Sequence, residues 1–575
     1  MNRFRTIAHT ANALSTRMRT EGAHYKWIAL SNTTLGVLMA SINGSIVIIS
    51  LPAIFRGIGL DALEPANIDY LLWMLMGYLV CTSVFVVTFG RLGDLFGRSR
   101  MYNLGFAIFS GASIALALTP GSGTVAALYL IGMRVIQGVG GALLMANSAA
   151  ILTDAFPAER RGLALGINSV AGIAGSFIGL LIGGFLAVIG WRLVFWVSVP
   201  IGLVGTAWAY LVLRDTSARQ AEPIDWWGNL IFALGLILLL FGITYGIQPY
   251  GAHTMAWGSP AVLGYLGSGG ALLVAFVLVE LRVTAPMFDL RLFKIRAFAA
   301  GNIASLLSAI GRGGLQFMLV VWLQGIWLPL HGYSFESTPL WAGIFMLPLT
   351  AGFLVAGPIS GYLSDRYGAR PFATGGMLLG AASFILLILL PANFSFWLFG
   401  LIIFLNGVGS GLFAAPNTTG IMNAVPANER GQASGMRATT VNAGMVLSIG
   451  IFFSLMIVGL VATLPSAIRA GLVAQGVPVP VARQVAATPV VSSLFAAFLG
   501  YNPMATLIPK QTLAGLPAHD RAVITGTDFF PHLISGPFMD GLGIAFAFAC
   551  VLFLLAAIAS WLRGAKYIYE DTPLT

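Results

Sequence analysis

The stretch "GRLGDLFG" (Gly90–Gly97) returns 271 positions later as "GYLSDRYG" (Gly361–Gly368), in the shared frame G-x-L-x-D-x-x-G. "PAERRGLALG" (Pro157–Gly166) returns as "PANERGQASG" (Pro426–Gly435), and "QGVGGALLMAN" (Gln137–Asn147) is echoed by "NGVGSGLFAAP" (Asn406–Pro416), each at an offset of 269. Three matches at nearly one offset indicate two homologous halves.

The material of those halves is apolar. Of 575 residues, 58% are hydrophobic and 9% charged, with a mean hydropathy of +0.88. A soluble protein carries about 25% charged residues. So little charge cannot cover a water-facing surface, which makes this an all-α polytopic membrane protein. A helix crossing about 30 Å of hydrocarbon needs about 20 apolar residues. That ruler yields about fourteen spans, starting near Trp27, Tyr70, Met101, Thr124, Leu163, Phe195, Trp227, Pro260, Ala297, Trp341, Phe372, Phe396, Met436 and Gly541. Each copy of the first motif follows the second span of its half. The expected organisation is then an N-terminal segment 1–26, a six-span half 27–213, two extra central spans within 214–296, a second six-span half 297–562, and a tail 563–575. Paired halves around a midplane cavity are a transporter architecture.

An even number of spans puts both termini on one side, and charge says which. With the N-terminus inside, about 22 of the 30 Lys and Arg fall in cytoplasmic segments, six fall outside and two, Arg134 and Arg312, fall within spans. This is the bias that retains basic residues in the cytoplasm. It accounts for the net charge of +10 through scattered short loops, leaving no concentrated patch for nucleic acid. Cys81 and Cys550 are isolated in apolar runs, so they form neither a disulfide framework nor a metal cluster. No nucleophile–base set, metal site or nucleotide loop is present in the sequence. The reading is therefore not an enzyme, with no cofactor. One loop is long: 463–540, on the outer side, carries nine prolines and the apolar stretch "VVSSLFAAFLG" (Val490–Gly500). That stretch is too short to cross and too apolar to float, so it is expected to dock on the membrane or the protein core.

The chain resembles the major facilitator superfamily, in particular its fourteen-span drug:proton antiporter branch. The resemblance rests on "GRLGDLFGR" (Gly90–Arg98), "RVIQGVGGA" (Arg134–Ala142), "GWRLVFWVSVPIG" (Gly190–Gly202), "DWWG" (Asp225–Gly228) and "ERGQASG" (Glu429–Gly435), in order over nearly the whole chain. It implies a gating role for Gly90, Asp94, Gly97 and Arg98, with Asp94 and Arg98 latching the two halves on the cytoplasmic side. Asp365 belongs to the weaker second copy. Span five, "AGIAGSFIGLLIGG" (Ala171–Gly184), spaces small residues for close helix packing. Where the family's antiporter signature has Pro after the Gly matching Gly179, this chain has Leu180.

The first span departs more sharply. The branch usually reads L-D-x-T-I-V-N-V-A-L-P; here "INGSIVIISLP" (Ile42–Pro52) puts Asn43 where the membrane Asp is expected. The family's carboxylate is taken to bind the coupling proton or a cationic drug, and an amide cannot titrate. None of the 20 acidic residues and none of the six His lies at mid-span. Arg134 and Arg312 do, with Gln137 and Gln316 on the same helix faces. An Arg at a helix centre costs about 2.5–3.5 kcal/mol on insertion scales and normally faces a cavity. The expected cavity residues are Asn43, Arg134, Gln137, Arg312, Gln316 and Gln324, around a neutral or anionic amphiphile in preference to a cation. The expectation is a monomeric plasma (inner) membrane transporter with both termini cytoplasmic. It would export a lipophilic or amphiphilic small molecule or lipid by alternating access, embedded among membrane lipids, with proton coupling open at Asn43. The alternative is a non-transporting membrane sensor or assembly protein on the same scaffold.

Overall fold

The computed structural model describes residues 22–564, apart from 62, 65–66, 158–160, 215–224, 249, 252, 254, 285, 287, 427–428 and 501. Residues 1–21 and 565–575, with most of the basic N-terminal segment and the tail, lie outside the described residues.

Long apolar runs without interior charge leave the backbone no partner but itself, so they fold as helices. The first half is α1 (Gly22–Ile58), α2 (Asn67–Phe96), α3 (Arg98–Ala117), α4 (Gly123–Ala155), α5 (Arg161–Ile189) and α6 (Leu193–Val212). The central pair is α7 (Trp226–Gly246) and α8 (Pro260–Glu280). The second half begins with α9 (Arg296–Leu330), α10 (Thr338–Ser364), α11 (Ala369–Ile388), α12 (Phe396–Asn423) and α13 (Arg430–Ala474). Short helices follow: α14 (Val479–Ala486), α15 (Val490–Phe498), α16 (Met504–Leu507), α17 (Lys510–Gly515) and α18 (Ala518–Thr525). The last is α19 (Phe529–Leu562).

Thirteen of these are long and apolar enough to cross a membrane. The fourteenth is α3, whose hydropathy is lowered by Arg98, Arg100 and Asn103 in its first turns. Its 20 residues still span about 30 Å at 1.5 Å per residue. The face where α1 begins is the near face, and the opposite one the far face.

The halves repeat their packing. In the first, α1 lies against α5, α4 between α2 and α3, and α3 against α6. In the second, α9 lies against α13, α12 between α10 and α11, and α11 against α19. The seams between halves are also paired, α2 with α13 and α5 with α10. Sequence repeats explain this. A Cβ on Gly140 would come within 2.7 Å of the Phe109 backbone N on α3, and one on Gly409 within 2.6 Å of the Gly376 carbonyl on α11. One small residue thus lets the same helix pair close in each half. Gln137 Nε2 donates to Ser113 Oγ at 2.8 Å, and its counterpart Asn406 Nδ2 donates to Ser383 Oγ at 2.7 Å. Gly97 (φ 103°) and Gly368 (φ 85°) make the same left-handed turn at α2–α3 and α10–α11, where a side chain would be strained.

The far face differs most from the sequence expectation. With 45 residues, α13 extends for about 68 Å, twice the hydrocarbon thickness, so it runs past Thr463 to Ala474. Likewise α19 starts at Phe529, not near Gly541. What remains of the 463–540 loop is a helical cap. Within it all nine residues of α15 are buried. Phe495 meets Phe453 with ring centroids 5.0 Å apart, and Phe498 meets Phe317 at 6.3 Å, both on the second half. From the first half, Arg56 Nη1 donates to the Leu499 carbonyl at 3.1 Å. The cap therefore bridges both halves at the far end of the bundle. In membranes carrying Ser492→Cys, a water-soluble maleimide should label more slowly than in Ala518→Cys. The difference should reach roughly tenfold, which an opening cost of only about 1.4 kcal/mol secures. Equal rates would show that α15 is not docked.

Candidate functional site

The two halves meet around a cavity of about 180 Å³. Its walls come from α1, α4 and α5 on one side and α9, α12 and α13 on the other. Close contact of α1 and α5 shapes the first wall: a Cβ on Gly175 would come within 2.9 Å of the Leu38 carbonyl, and one on Gly183 within 2.7 Å of the Ile46 carbonyl. A smaller chamber of about 70 Å³ adjoins it toward the far face and shares Ser41, Ser176, Asn442 and Met445.

Two guanidiniums line the larger cavity, Arg312 on α9 and Arg437 on α13. The glycines around Arg312 orient it. A Cβ on Gly311 would press on Phe553 of α19 (2.5 Å) and one on Gly313 on Ser448 of α13 (2.9 Å), while Gly314 leaves room for Phe452. Those faces are taken up by neighbouring helices, and Arg312 takes the remaining one. Among the described residues, no Asp or Glu lines the cavity. The other polar wall includes Ser305, Ser308, Asn168, Asn417 and Asn442. Asn417 Nδ2 is held by the Gly301 carbonyl and Ser305 Oγ at 3.1 and 2.8 Å. Asn442 Nδ2 is buried with no hydrogen-bond partner.

The expected site residues separate into three places. Arg312 lines the larger cavity, and Gln316 lines the smaller one, reaching the Ser176 carbonyl at 3.5 Å. Gln324 is fully buried in a π-helical turn of α9 and donates to the Ile49 carbonyl of α1 at 3.0 Å, so it ties the halves together on the far side. Asn43, Arg134 and Gln137 line neither cavity. They form a polar network inside the first half, in which Arg134 Nη2 alone of the guanidinium nitrogens has no hydrogen-bond partner. Asn43 Nδ2 donates to Ser198 Oγ (2.7 Å) and the Met39 carbonyl (2.9 Å), and its Oδ1 accepts from Gln137 Nε2 at 3.3 Å. Arg134 donates to Gln137 Oε1 (2.7 Å) and to the Asn43 and Met74 carbonyls (3.1 and 3.3 Å), with its guanidinium 4.6 Å from the Tyr78 ring centre. The amide in the first span is a brace between α1, α4 and α6.

The near-face motif also acts within one half. Arg98 Nε donates to Asp94 Oδ1 at 2.8 Å, while Nη1 reaches Asp154 Oδ1 (2.6 Å) and the Ala150 carbonyl (3.2 Å). These contacts clamp α2 and α3 to the end of α4; the expected latch between halves is not among them. Gly97 supplies the turn, and Gly90 faces Ala146, where a Cβ would make ordinary contact at 4.0 Å. The side chain of Asp365 lies outside the described residues.

Arg437 is the residue that hydropathy missed. A span starting near Met436 leaves it at the membrane edge, but α13 starts at Arg430, so Arg437 sits two turns into a helix. The available signal was its spacing: Ser434, Arg437, Val441 and Met445 recur every three or four positions along one face, and all four line the cavity.

Comparison with known proteins fits this geometry. The Major Facilitator Superfamily profile matches residues 33–449 and 302–569. The chain belongs to that superfamily. A tetracenomycin C resistance and export protein of Streptomyces glaucescens is 31% identical over 432 residues, covering 75% of this chain and 76% of that protein. Multidrug resistance protein Stp of Mycobacterium tuberculosis is 28% identical over 544 residues, 93% of this chain and 91% of its own. Among solved structures, a bacterial homologue of the human lysosomal transporter Spinster, inward-facing and unoccupied, superposes with a TM-score of 0.54 at 15% identity, covering 95% of this chain and 99% of that one. This superfamily member is thus a multi-pass membrane transporter resembling drug exporters.

Removing the Asn43 amide should strand its partners. Asn43→Ala is expected to lose about 1–3 kcal/mol of stability, read as a lower unfolding temperature in detergent. Ser308→Ala, in the cavity wall, should stay near wild type. Equal effects of the two would contradict the division between brace and cavity.

Proposed function

We propose that this protein is a secondary active exporter that carries a lipophilic or amphiphilic small molecule or lipid out of the cell by alternating access. It would work as a monomer in the plasma (inner) membrane, with both termini cytoplasmic. One observation carries the reading: a cavity between the halves lies on the near side of a series of far-face contacts. Those contacts are Gln324 to Ile49, the α15 cap, and the α5–α10 seam, where a Cβ on Gly343 would come within 3.5 Å of the Leu181 Cα. Opening that seam while closing the near side would expose the same cavity to the far side. The names of the two relatives, a resistance and export protein and a multidrug resistance protein, favour outward movement of a small molecule.

Asp94, Arg98 and Asp154 contribute by making α2, α3 and α4 move as one body. Proton coupling through the first span is not part of the proposal, because Asn43 neither titrates nor reaches the cavity.

The test is flux from proteoliposomes, with a cross-link as control. In a background with Cys81 and Cys550 replaced by Ser, Gly343→Cys with Leu181→Cys should form a disulfide across the seam, given the short approach. Oxidation should stop flux and a reductant should restore it. Undiminished flux with the seam cross-linked would refute opening at α5–α10.

A further inference from the structure

We propose that the near end of α19 carries a head-group site for an anionic phospholipid, built from Arg296, Arg370 and Arg563, with one acyl chain along the outer face of the same helix. The inference does not depend on the exporter reading, since none of the three arginines lines the cavity between the halves.

Three guanidiniums meet around the last turn of α19. Arg563 is its C-cap, and the side chain turns inward at 6% exposure. Gly420 of α12 and Gly301 of α9 make its slot: a Cβ on the first would come within 2.5 Å of Nη1, and one on the second within 3.1 Å of Nη2. None of its three nitrogens has a hydrogen-bond partner. Arg296, exposed at the start of α9, donates through Nε to the Leu562 carbonyl. Arg370, at the start of α11, lies over the Trp561 ring, 3.7 Å from its centre, and its buried Nε has no partner. Among the described residues none of the three is in an ion pair. Asp289, the acid nearest to Arg296 in sequence, accepts from the Arg291 backbone N–H instead. A cation at a helix C-terminus complements the dipole and the last carbonyls, which accounts for Arg296 and leaves two. Guanidiniums stay ionised, and a buried charge without a counter-charge is costly, so the cluster calls for an anion.

The surroundings point to the anion's source. Trp561 and Leu562 are 56% and 50% exposed, and an exposed Trp at the end of a span marks the membrane interface. Ile558, Leu554 and Val551 precede Trp561 at intervals of three and four and are exposed too, so all four form one apolar stripe on one helix face. From Val551 to Trp561 the helix rises about 15 Å, half of a hydrocarbon core of about 30 Å and so the depth of one leaflet. A phosphate on the outer nitrogens of Arg296 and Arg370 would hold its acyl chain against this stripe, with Arg563 adding its field from below. Guanidiniums fork onto phosphate oxygens, and basic pockets between spans suit anionic head groups. Phosphatidylcholine, whose choline offsets its phosphate, would gain less.

The test uses the full-length protein in nanodiscs of equal parts phosphatidylglycerol and phosphatidylcholine, with brominated acyl chains on one lipid or the other. Bromine quenches nearby Trp fluorescence, and the Trp561 signal is the difference between wild type and Trp561→Phe. Occupancy beside Trp561 should favour phosphatidylglycerol by roughly tenfold or more, as expected for two or three basic residues at an anionic head group. Arg296→Gln and Arg370→Gln should each lower the preference, and the double variant should bring it close to unity. Arg370→Lys should keep part of it, which separates charge from folding. The two outer arginines decide the matter, because Arg563→Gln disturbs a buried slot. Glycerol 3-phosphate should compete weakly, because it lacks the acyl chain. Equal occupancy by the two lipids, a preference unchanged in the double Gln variant, or full displacement by glycerol 3-phosphate would overturn the proposal. So would a preference that emerges only after Glu570→Gln with Asp571→Asn, which would assign the counter-charge to the chain's own acids.

Discussion

A guanidinium inside a membrane cannot lose its charge and must find oxygen atoms or water. Insertion of one Arg at a helix centre costs about 2.5–3.5 kcal/mol, and this constraint shapes both halves. The first half meets it with closure: Arg134 is 1% exposed and surrounded by Gln137, two backbone carbonyls and the face of Tyr78. The second half meets it with a cavity: Arg312 and Arg437 face the space between halves. One solution contributes rigidity, the other places guanidiniums on the wall of the space between the halves.

The duplicated architecture makes the asymmetry visible. Glycine spacing, turns and even the Gln137–Ser113 hydrogen bond have counterparts at the repeat offset. Charge does not. At an offset of 269, Asn43 corresponds to Arg312 and Asn168 to Arg437, while Arg134 corresponds to Ile403. The scaffold is therefore symmetric where helices must pack and asymmetric where the cavity acquires its sign. Two positions that are amides in the first half are cations in the second.

Much of the scaffold was legible in the sequence, because spans and repeats are properties of composition and period. Helix onsets such as Pro260 and Phe396 coincide with the structure. Those tied to hydropathy alone drift where a helix outruns the membrane. Pro531 and Pro537 read as loop, yet both lie within α19; Pro531 is in the first turn, where a proline sacrifices no intrahelical hydrogen bond, whereas Pro537 lies inside the helix and gives one up. The site was less legible. Depth along a span told that Arg134 and Arg312 are intramembrane, but not that one turns into its own half and the other toward its neighbour. That depends on which faces the glycines give to neighbouring helices. Arg437 escaped because its helix begins before its apolar run. The Asp94–Arg98 motif was recognised, while its partner Asp154, 56 residues beyond Arg98, needed the fold to bring it near.

The field inside the cavity can be measured without knowing the cargo. Ser308 lies in the cavity wall beside Arg312, so Ser308→Cys places a thiol in that field. Its reaction with a negatively charged and a positively charged methanethiosulfonate can be compared, each normalised to its rate with a free thiol. With Arg312 and Arg437 in the wall and no Asp or Glu among its described lining, the anionic reagent should be favoured by roughly tenfold or more, and Arg312→Gln with Arg437→Gln should bring the ratio close to unity. Faster reaction with the cationic reagent, or a ratio indifferent to both arginines, would contradict a positively charged cavity between the halves.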